Sequence, residues 1–248
     1  MELSIVVPVR NEAENIEPLM TEISTALDGR CDYEIIYVDD GSDDDTLPRL
    51  RALCQRFPRL RILHHDGRRG QSAALLSGVQ AARSPWIVTL DGDGQNDPAD
   101  ISRLLPFTKR YSTQRKLLVI GNRTSRQDNG WRRFSSRVAN GVRGRILMDH
   151  TPDTGCGLKL FPRQLFLMLP YFDHMHRFLP ALVQRQGGIS MSVEVHHRPR
   201  AHGHSKYGTL DRLGAGIIDM MGVMWLQRRA SLPAVVEERR GENNSHEQ

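Results

Sequence analysis

The segment Leu90-Asp91-Gly92-Asp93-Gly94-Gln95 sets two carboxylates two residues apart, directly after the apolar run Trp86-Ile87-Val88-Thr89-Leu90. A short apolar run bounded by turn residues reads as a buried strand. A strand that ends in Asp-x-Asp delivers two hard oxygen ligands to the carboxyl edge of a sheet, where open α/β folds bind ligands. Magnesium and manganese take carboxylate, amide and water oxygens and are usually shared with substrate phosphates. Asp91 and Asp93 are therefore candidate metal ligands, and the Gln95 amide oxygen is a third. Taken alone, an acidic turn with glycines is common in any loop. The weight comes from what else the chain brings to the same edge.

Apolar runs occur at Ile5–Val9, Tyr33–Val38, Leu60–His64, Trp86–Leu90 and Leu117–Ile120, with helical patterns over Glu12–Leu27, Asp44–Phe57, Gln71–Ala82 and Ala99–Tyr111 between them. That alternation predicts an α/β fold, a mostly parallel sheet flanked by helices. Leu47, Leu50, Leu53 and Cys54 are expected to face the core. The loops after the five strands are Pro8-Val9-Arg10-Asn11-Glu12, Asp39-Asp40-Gly41-Ser42, His65 to Gln71, the Asp91 segment, and Gly121-Asn122-Arg123. Each could be an ordinary turn or helix cap, as Ser42 and Asp44 are good helix starters. Five polar, ionisable or Gly-rich loops on one edge favour a site.

The second half is less regular. Residues 131–148 read as a basic helix, with Arg133 and Arg137 one turn apart and Asn140 on the same side. Thr151 to Gly157 is a tight Gly-rich loop, residues 177–186 a helix and Ile189–Val195 a strand. The loop from Arg198 to Gly208, with Arg200, Ser205 and Lys206, has the composition of a phosphate-binding segment or of a flexible basic linker. Residues 210–226 form an apolar helix interrupted by Asp211, Arg212 and Asp219 and closed by Arg228 and Arg229. An interfacial membrane helix and an ordinary packing or dimer helix both fit it. These boundaries give a main domain over 1–209, an associating or packing helix over 210–229 and a polar, disordered tail over 230–248.

The 248 residues carry a formal charge of +5, with 39% hydrophobic and 25% charged residues, as expected of a soluble globular protein. A mild basic excess suits an anionic partner. Aromatics are only 6% and do not cluster in the basic segments, which argues against nucleic acid. Cys31, Cys54 and Cys156 form no CxxC pair and are expected to be reduced, mostly buried thiols of a cytosolic protein. The N-terminus does not read as a signal peptide, and no stretch reaches the roughly 18–20 apolar residues of a membrane span. The histidines are expected to be structural or solvent-facing, not a zinc cluster.

Ile5 to Glu12, Val38 to Ser42, Gly70 to Ala74 and Asp91 to Pro98 together resemble the ordered signature of family 2 glycosyltransferases with the Rossmann-like GT-A fold. Gly121-Asn122-Arg123, Ser136 to Asn140, Asp153 to Lys159 and Arg200 to Tyr207 are similar to the polyprenyl-phosphate branch, which includes dolichol-phosphate mannosyltransferase. The resemblance spans about Met1 to Gln227. It implies a single GT-A domain and an inverting transfer from a nucleotide sugar, GDP- or UDP-linked, to a polyprenyl phosphate. The cofactor it implies is Mg2+ or Mn2+, held by Asp91, Asp93 and Gln95. Pro8, Asn11, Glu12, Asp40 and Gly70 would line the base and ribose pocket; Asp39 would do so or brace the loop. Arg200, Ser205 and Lys206 would close over the phosphates.

An anionic phosphate acceptor needs cationic placement, not a strong base. Arg123 and Arg137 are the candidates, because guanidinium forks match phosphate, and Asp153 would orient the acceptor or a basic residue. Where the family often has Ser-Gly-Phe-Arg, this chain has Cys156-Gly157-Leu158-Lys159, so lysine keeps the charge and loses the fork. The expected location is peripheral, on the inner face of the cytoplasmic or endoplasmic reticulum membrane, with contact through the 210–226 helix, basic residues or a separate membrane subunit. A same-fold transferase with a polysaccharide or other soluble acceptor, or a non-enzymatic nucleotide-sugar-binding protein, are the alternatives.

Overall fold

The computed structural model describes residues 1–123, 144–149, 151–200 and 209–229, with the side chains of the last segment described from 216 onward. Strands β1 (Leu3–Val9) and β2 (Tyr33–Asp39) are apolar on both faces because both faces are covered, and nearly every residue in them is buried. Helices α1 (Ile16–Leu27), α2 (Thr46–Leu53), α3 (Gln71–Ala81) and α4 (Ile101–Arg110) alternate with β3 (Leu60–His64), β4 (Trp86–Thr89) and β5 (Leu117–Arg123). In α1, the buried residues Ile16, Leu19, Met20, Ile23, Ala26 and Leu27 follow the helical period that turns one stripe to the core.

The remaining described elements are β6 (Lys159–Pro162), α5 (Arg163–Leu167), α6 (Leu179–Arg185), β7 (Ile189–Val195) and α7 (Thr209–Arg228). The seven strands form one sheet in the order β3-β2-β1-β4-β6-β5-β7. Neighbours are parallel except that β6 runs antiparallel between β4 and β5. The anticipated mostly parallel α/β sheet is therefore observed, as a single domain. β6 was missed in the sequence, because its four residues begin with a lysine and end with a proline, which hides a buried strand. The antiparallel insertion puts the start of β6 at the same edge as the ends of β1 to β5 and β7. Strand order reverses between β1 and β4, the position where such sheets open a crevice.

Three local expectations are corrected. α1 begins at Ile16 rather than Glu12, because Glu12 and Asn15 form a hydrogen-bonded turn ahead of it. α6 begins at Leu179, preceded by a 3-10 turn over Met175–Arg177. Cys54 is exposed and Cys31 half-buried, leaving Cys156 as the buried thiol. The second helix ends at Leu53, so Cys54 sits past its last core-facing turn.

Among the described residues, no helix is long and apolar enough to cross a membrane. Helix α7 packs on α6; its Val223 is fully buried, and Arg185 Nε donates to the Leu226 carbonyl at 2.9 Å.

Candidate functional site

The edge loops are joined to one another before they could meet any ligand. Asn11, in left-handed backbone at φ 54, receives at its N–H a hydrogen bond acceptor, Ser42 Oγ, at 2.9 Å, and its side chain pairs with Asp43. The Glu12 N–H donates to Thr46 Oγ1 at 2.9 Å. Asp39 is fully buried and accepts from the Ser42 hydroxyl, with His64 Nδ1 2.9 Å from its other oxygen. Of the two roles open to Asp39, the observed contacts are those of a brace. Asp40 accepts from the N–H groups of Arg69 and Gly70 at 2.8 Å each and meets His65 Nδ1 at 2.8 Å. Gly41 sits at φ +65 where a Cβ would lie 2.6 Å from the Gly67 backbone, so only glycine lets these two loops touch. Pro8 reaches the carboxylate turn: a Cβ on Gly92 would meet Val9 Cγ1 at 2.4 Å and the Pro8 carbonyl at 3.1 Å.

Asp91 and Asp93 follow β4 at the β1/β4 crevice. Gln71 Nε2, on the first turn of α3, donates to Asp91 Oδ1 at 2.8 Å. Arg200 Nη2 donates to Asp93 Oδ2 at 2.6 Å, and the Gln95 N–H donates to Asp93 Oδ1 at 3.1 Å. The segment after β7 is docked beside them. Arg198 bridges Glu22 and Asp97 at 2.7 Å each, and His196 lies 3.0 Å from Asp100. Burial and then the charge of Asp93 push the Asp91 carboxyl above the ordinary range, while Lys159, Arg123 and Gln71 pull it back. Two carboxylates held this close call for a cation.

Cations lie beneath them. Arg123 grips Asp153 with a fork, Nε to Oδ2 at 2.6 Å and Nη2 to Oδ1 at 2.8 Å, and both side chains are about nine-tenths buried. Lys159 opens β6, is 5% exposed and donates to the Cys156 carbonyl. Its burial lowers its affinity for a proton, and Cys156, Asp91 and Asp153 oppose that effect. Thr89 Oγ1 donates to the Gly157 carbonyl at 2.7 Å, which lays the Cys156-Gly157 turn against the Asp91 carboxylate. A Cβ on Gly157 would fall 2.3 Å from Asp91 Cγ and 2.7 Å from Asn96 Oδ1. Gly157→Ala is therefore expected to displace Asp91 and weaken Mn2+ binding at least about ten-fold, at a stability cost of about 1–3 kcal/mol from overpacking. Calorimetric Mn2+ titration beside a thermal melt checks it, and unchanged metal affinity would refute the contact.

Asp91, Asp93 and Gln95 suit a hard divalent ion. Two carboxylates and an amide leave such an ion open to phosphate and water oxygens. Among the described residues, no three His, Cys, Asp or Glu side chains converge into a metal-holding group. Among the described residues Arg200 Nε is buried without a partner while Nη2 holds Asp93, so the guanidinium keeps donor capacity beside the carboxylate pair. The residues fit a metal-diphosphate group.

The structure brings together Pro8, Asn11, Glu12, Asp39, Asp40, Gly70, Asp91, Asp93, Gln95, Arg123, Asp153 and Arg200 on one edge of the sheet. Arg137, Ser205 and Lys206, with most of the predicted 131–148 helix, lie outside the described residues. Gln71 and Lys159 were not assigned roles from sequence. Gln71 stood within the Gly70-Gln71-Ser72 motif, which was the available signal.

The sequence profile described as Glycosyl transferase family 2 matches residues 4–168. A dodecaprenyl-phosphate galacturonate synthase from Rhizobium johnstonii is 36% identical over 94% of this chain and 69% of its own length. An undecaprenyl-phosphate 4-deoxy-4-formamido-L-arabinose transferase from Aeromonas hydrophila is 31% identical over 84% of this chain, which spans 63% of that protein's length. Glucosyl-3-phosphoglycerate synthase from Mycobacterium tuberculosis, solved with Mn2+, UDP and phosphoglyceric acid, has a TM-score of 0.67 at 20% identity, over 93% of this chain and 79% of that one. This last likeness establishes the GT-A architecture.

Proposed function

The chain belongs to glycosyl transferase family 2, and we propose that it moves a sugar from a nucleoside diphosphate sugar to a polyprenyl phosphate, with inversion and with a divalent metal ion. The observation that carries this reading is the Asp91–Asp93 pair at the β1/β4 crevice, tied to Gln71 and Arg200 and underlain by Arg123 and Lys159. Carboxylates that gather a cation, beside a guanidinium with an unused donor, suit a leaving group that departs as a diphosphate. The acceptor class is supported by the two relatives, each named for a polyprenyl-phosphate sugar.

In the proposed step, a phosphate oxygen of the acceptor attacks the anomeric carbon. A carbon–oxygen bond forms on one face as the bond to the diphosphate breaks on the other. Bound at Asp91, Asp93 and Gln95, Mg2+ or Mn2+ would supply Lewis-acid neutralisation of the diphosphate. Arg200 releases Asp93 to hold phosphate oxygens, with Ser205 and Lys206 as further proposed ligands. Arg123 uses two of its side-chain N–H groups on Asp153, and the rest of the fork is left for the acceptor phosphate, with Arg137 as a further proposed ligand. The acceptor oxygen is already anionic, so Asp153 anchors Arg123 and takes no proton.

The acceptor's lipid places the reaction at a membrane surface, on the cytoplasmic face in this reading. The outward side of α7 is the proposed contact: Ile217, Ile218, Met221 and Trp225 are 48–67% exposed, and Arg228 and Arg229 lie exposed at its end.

The test is incubation of purified protein with Mn2+ or Mg2+, undecaprenyl phosphate and a panel of radiolabelled GDP- and UDP-sugars. Label is expected in the organic phase from one donor and is lost with a chelator. Donor binding seen by calorimetry without label from any donor would refute the acceptor class.

A further inference from the structure

Two histidines left unused by the proposed reaction stand between the outward helix and the carboxylate pair. The segment Phe172 to Phe178 is a hydrogen-bonded turn. The N–H of Met175 donates to Phe172 O at 3.2 Å, that of Arg177 to His174 O at 3.0 Å and that of Phe178 to Met175 O at 2.8 Å. Met175 is 1% exposed, and the rings of Phe172 and Phe178 are 6.2 Å apart. From this turn His174 reaches one way and His176 the other. His174 Nδ1 lies 3.0 Å from Asp219 Oδ2 on α7. His176 Nδ1 lies 2.8 Å from Ser72 Oγ, and the His176 N–H donates to the same oxygen at 3.4 Å. Ser72 is 3% exposed and adjoins Gln71, whose amide holds Asp91 at 2.8 Å.

We infer that Asp219, His174, His176 and Ser72 are positioning residues, forming a strut that links the orientation of α7 to the grip of Gln71 on Asp91. The inference rests on the glycosyltransferase reading and names a regulation of that same site: engagement of α7 by a bilayer tightens nucleotide binding. Three side-chain contacts make the path continuous, from Asp219 to His174, from His176 to Ser72 and from Gln71 to Asp91. His174 holds left-handed backbone at φ 66, a strained conformation for a non-glycine residue that the flanking contacts must maintain. His176 is kept neutral at neutral pH by burial, then by Lys159, Arg177 and His174, so its tie to Ser72 is a hydrogen bond with no charge to screen.

The far end of the strut carries the surface to be engaged. Ile217, Met221 and Trp225 recur at i, i+4 and i+8 with Ile218 beside them, all exposed, which is one face of a helix. The occupant assigned to that face is a lipid bilayer. Exposed Trp225 and the adjacent Arg228 and Arg229 match the apolar depth and anionic headgroups of a membrane. Asp219 lies on the half-buried flank of the same helix, so a tilt of α7 on docking moves the carboxylate that holds His174. Because linkage is reciprocal, bilayer and nucleotide must strengthen each other by the same factor.

The experiment measures the affinity of the full chain for UDP and, in parallel, GDP, each with Mn2+, by calorimetry. It is run with and without phosphatidylglycerol–phosphatidylethanolamine vesicles, and vesicle binding is followed by cosedimentation. The wild type is expected to bind one nucleotide about five-fold more tightly when vesicle-bound, the low end of ordinary coupling. Asp219→Ala and Ser72→Ala each break one joint. Both variants should still sediment with vesicles but bind the nucleotide equally with and without them. His174→Asn keeps a residue tolerant of left-handed backbone and an amide donor for Asp219, and should retain the difference. Equal wild-type affinity in both conditions, or a preserved difference in Asp219→Ala, would overturn the strut. Wild type that binds neither nucleotide defeats the donor reading, and wild type that does not sediment defeats the docking face. Each of these overturns the inference as well, and each shows in a different measurement.

Discussion

Asp91→Asn is expected to lower sugar transfer at least about 1000-fold and, in the absence of metal, to raise the melting temperature. A 1000-fold loss corresponds to about 4 kcal/mol of transition-state stabilisation, within the several kcal/mol that a Lewis-acid metal contributes to a charged leaving group. The carboxylate is well placed for that effect: Gln71 fixes one oxygen at 2.8 Å and the other faces Gly157. The stability change has the opposite sign because burial and Asp93 push the Asp91 carboxyl above its ordinary range. With its folded pKa raised, its stabilising share is complete below the unfolded value and is lost as pH rises through the folded value. Ionising this carboxyl in the fold therefore costs stability, and an isosteric amide removes that cost. Saturating Mn2+ should stabilise the wild type and leave the variant unmoved, since only a species that binds the folded state shifts its melting. Organic-phase label transfer and paired melts with and without Mn2+ read both effects. A variant within ten-fold of wild-type activity would remove the metal role from Asp91.

The same carboxylate shows what could be read in advance and what could not. Strands covered on both faces are continuous apolar runs, so β1 to β5 were visible together with the polar loops that close them. The direction of those strands then placed every loop on one edge. Asp91, Asp93 and Arg123 are legible because strand ends in a parallel sheet have a fixed destination. Their partners are not. Arg123 finds Asp153 thirty residues away, and Ser72 finds His176 across 104 residues. Such pairings depend on where separate elements dock, and no local spacing encodes them. β6 illustrates a second limit. Lys159 breaks the apolar pattern although it is buried, and at the start of β6 it offsets the rise in the Asp91 carboxyl. Functional groups are where sequence-to-structure rules are expected to fail, since the chain departs from good packing there. Cys54 fails for a plainer reason: the helix ends at Leu53, short of the expected Phe57, and the position after its end turns outward.

The Arg123–Asp153 pair carries the other large effect. Arg123 is 11% and Asp153 8% exposed, so removal of Asp153 takes a paired carboxylate from a guanidinium held away from water. Asp153→Ala is expected to cost about 3–5 kcal/mol, the usual consequence of breaking a buried ion pair from one side. At about 2–4 °C per kcal/mol for a chain of this size, the melting temperature should fall by roughly 6–20 °C. Removing both charges together is a different perturbation. Arg123→Met with Asp153→Leu removes both charges of the pair and should recover most of that loss, since apolar replacement of a whole buried pair is often close to neutral. Function separates from stability at this point. If Arg123 presents the remainder of its fork to the acceptor, the double variant folds and binds nucleotide with Mn2+ as the wild type does, while its KM for undecaprenyl phosphate rises at least about ten-fold. Arg123→Lys should share the raised KM, because a single ammonium cannot hold Asp153 by two parallel bonds and also face a phosphate. Chemical denaturation of the three variants gives the coupling energy, and initial rates at varied lipid phosphate give the KM. An Asp153→Ala cost below about 1 kcal/mol would show the pair to be solvated, in the range of surface ion pairs. A double variant with unchanged KM would reduce Arg123 to a support for the Asp153 loop and leave the acceptor phosphate to other cations.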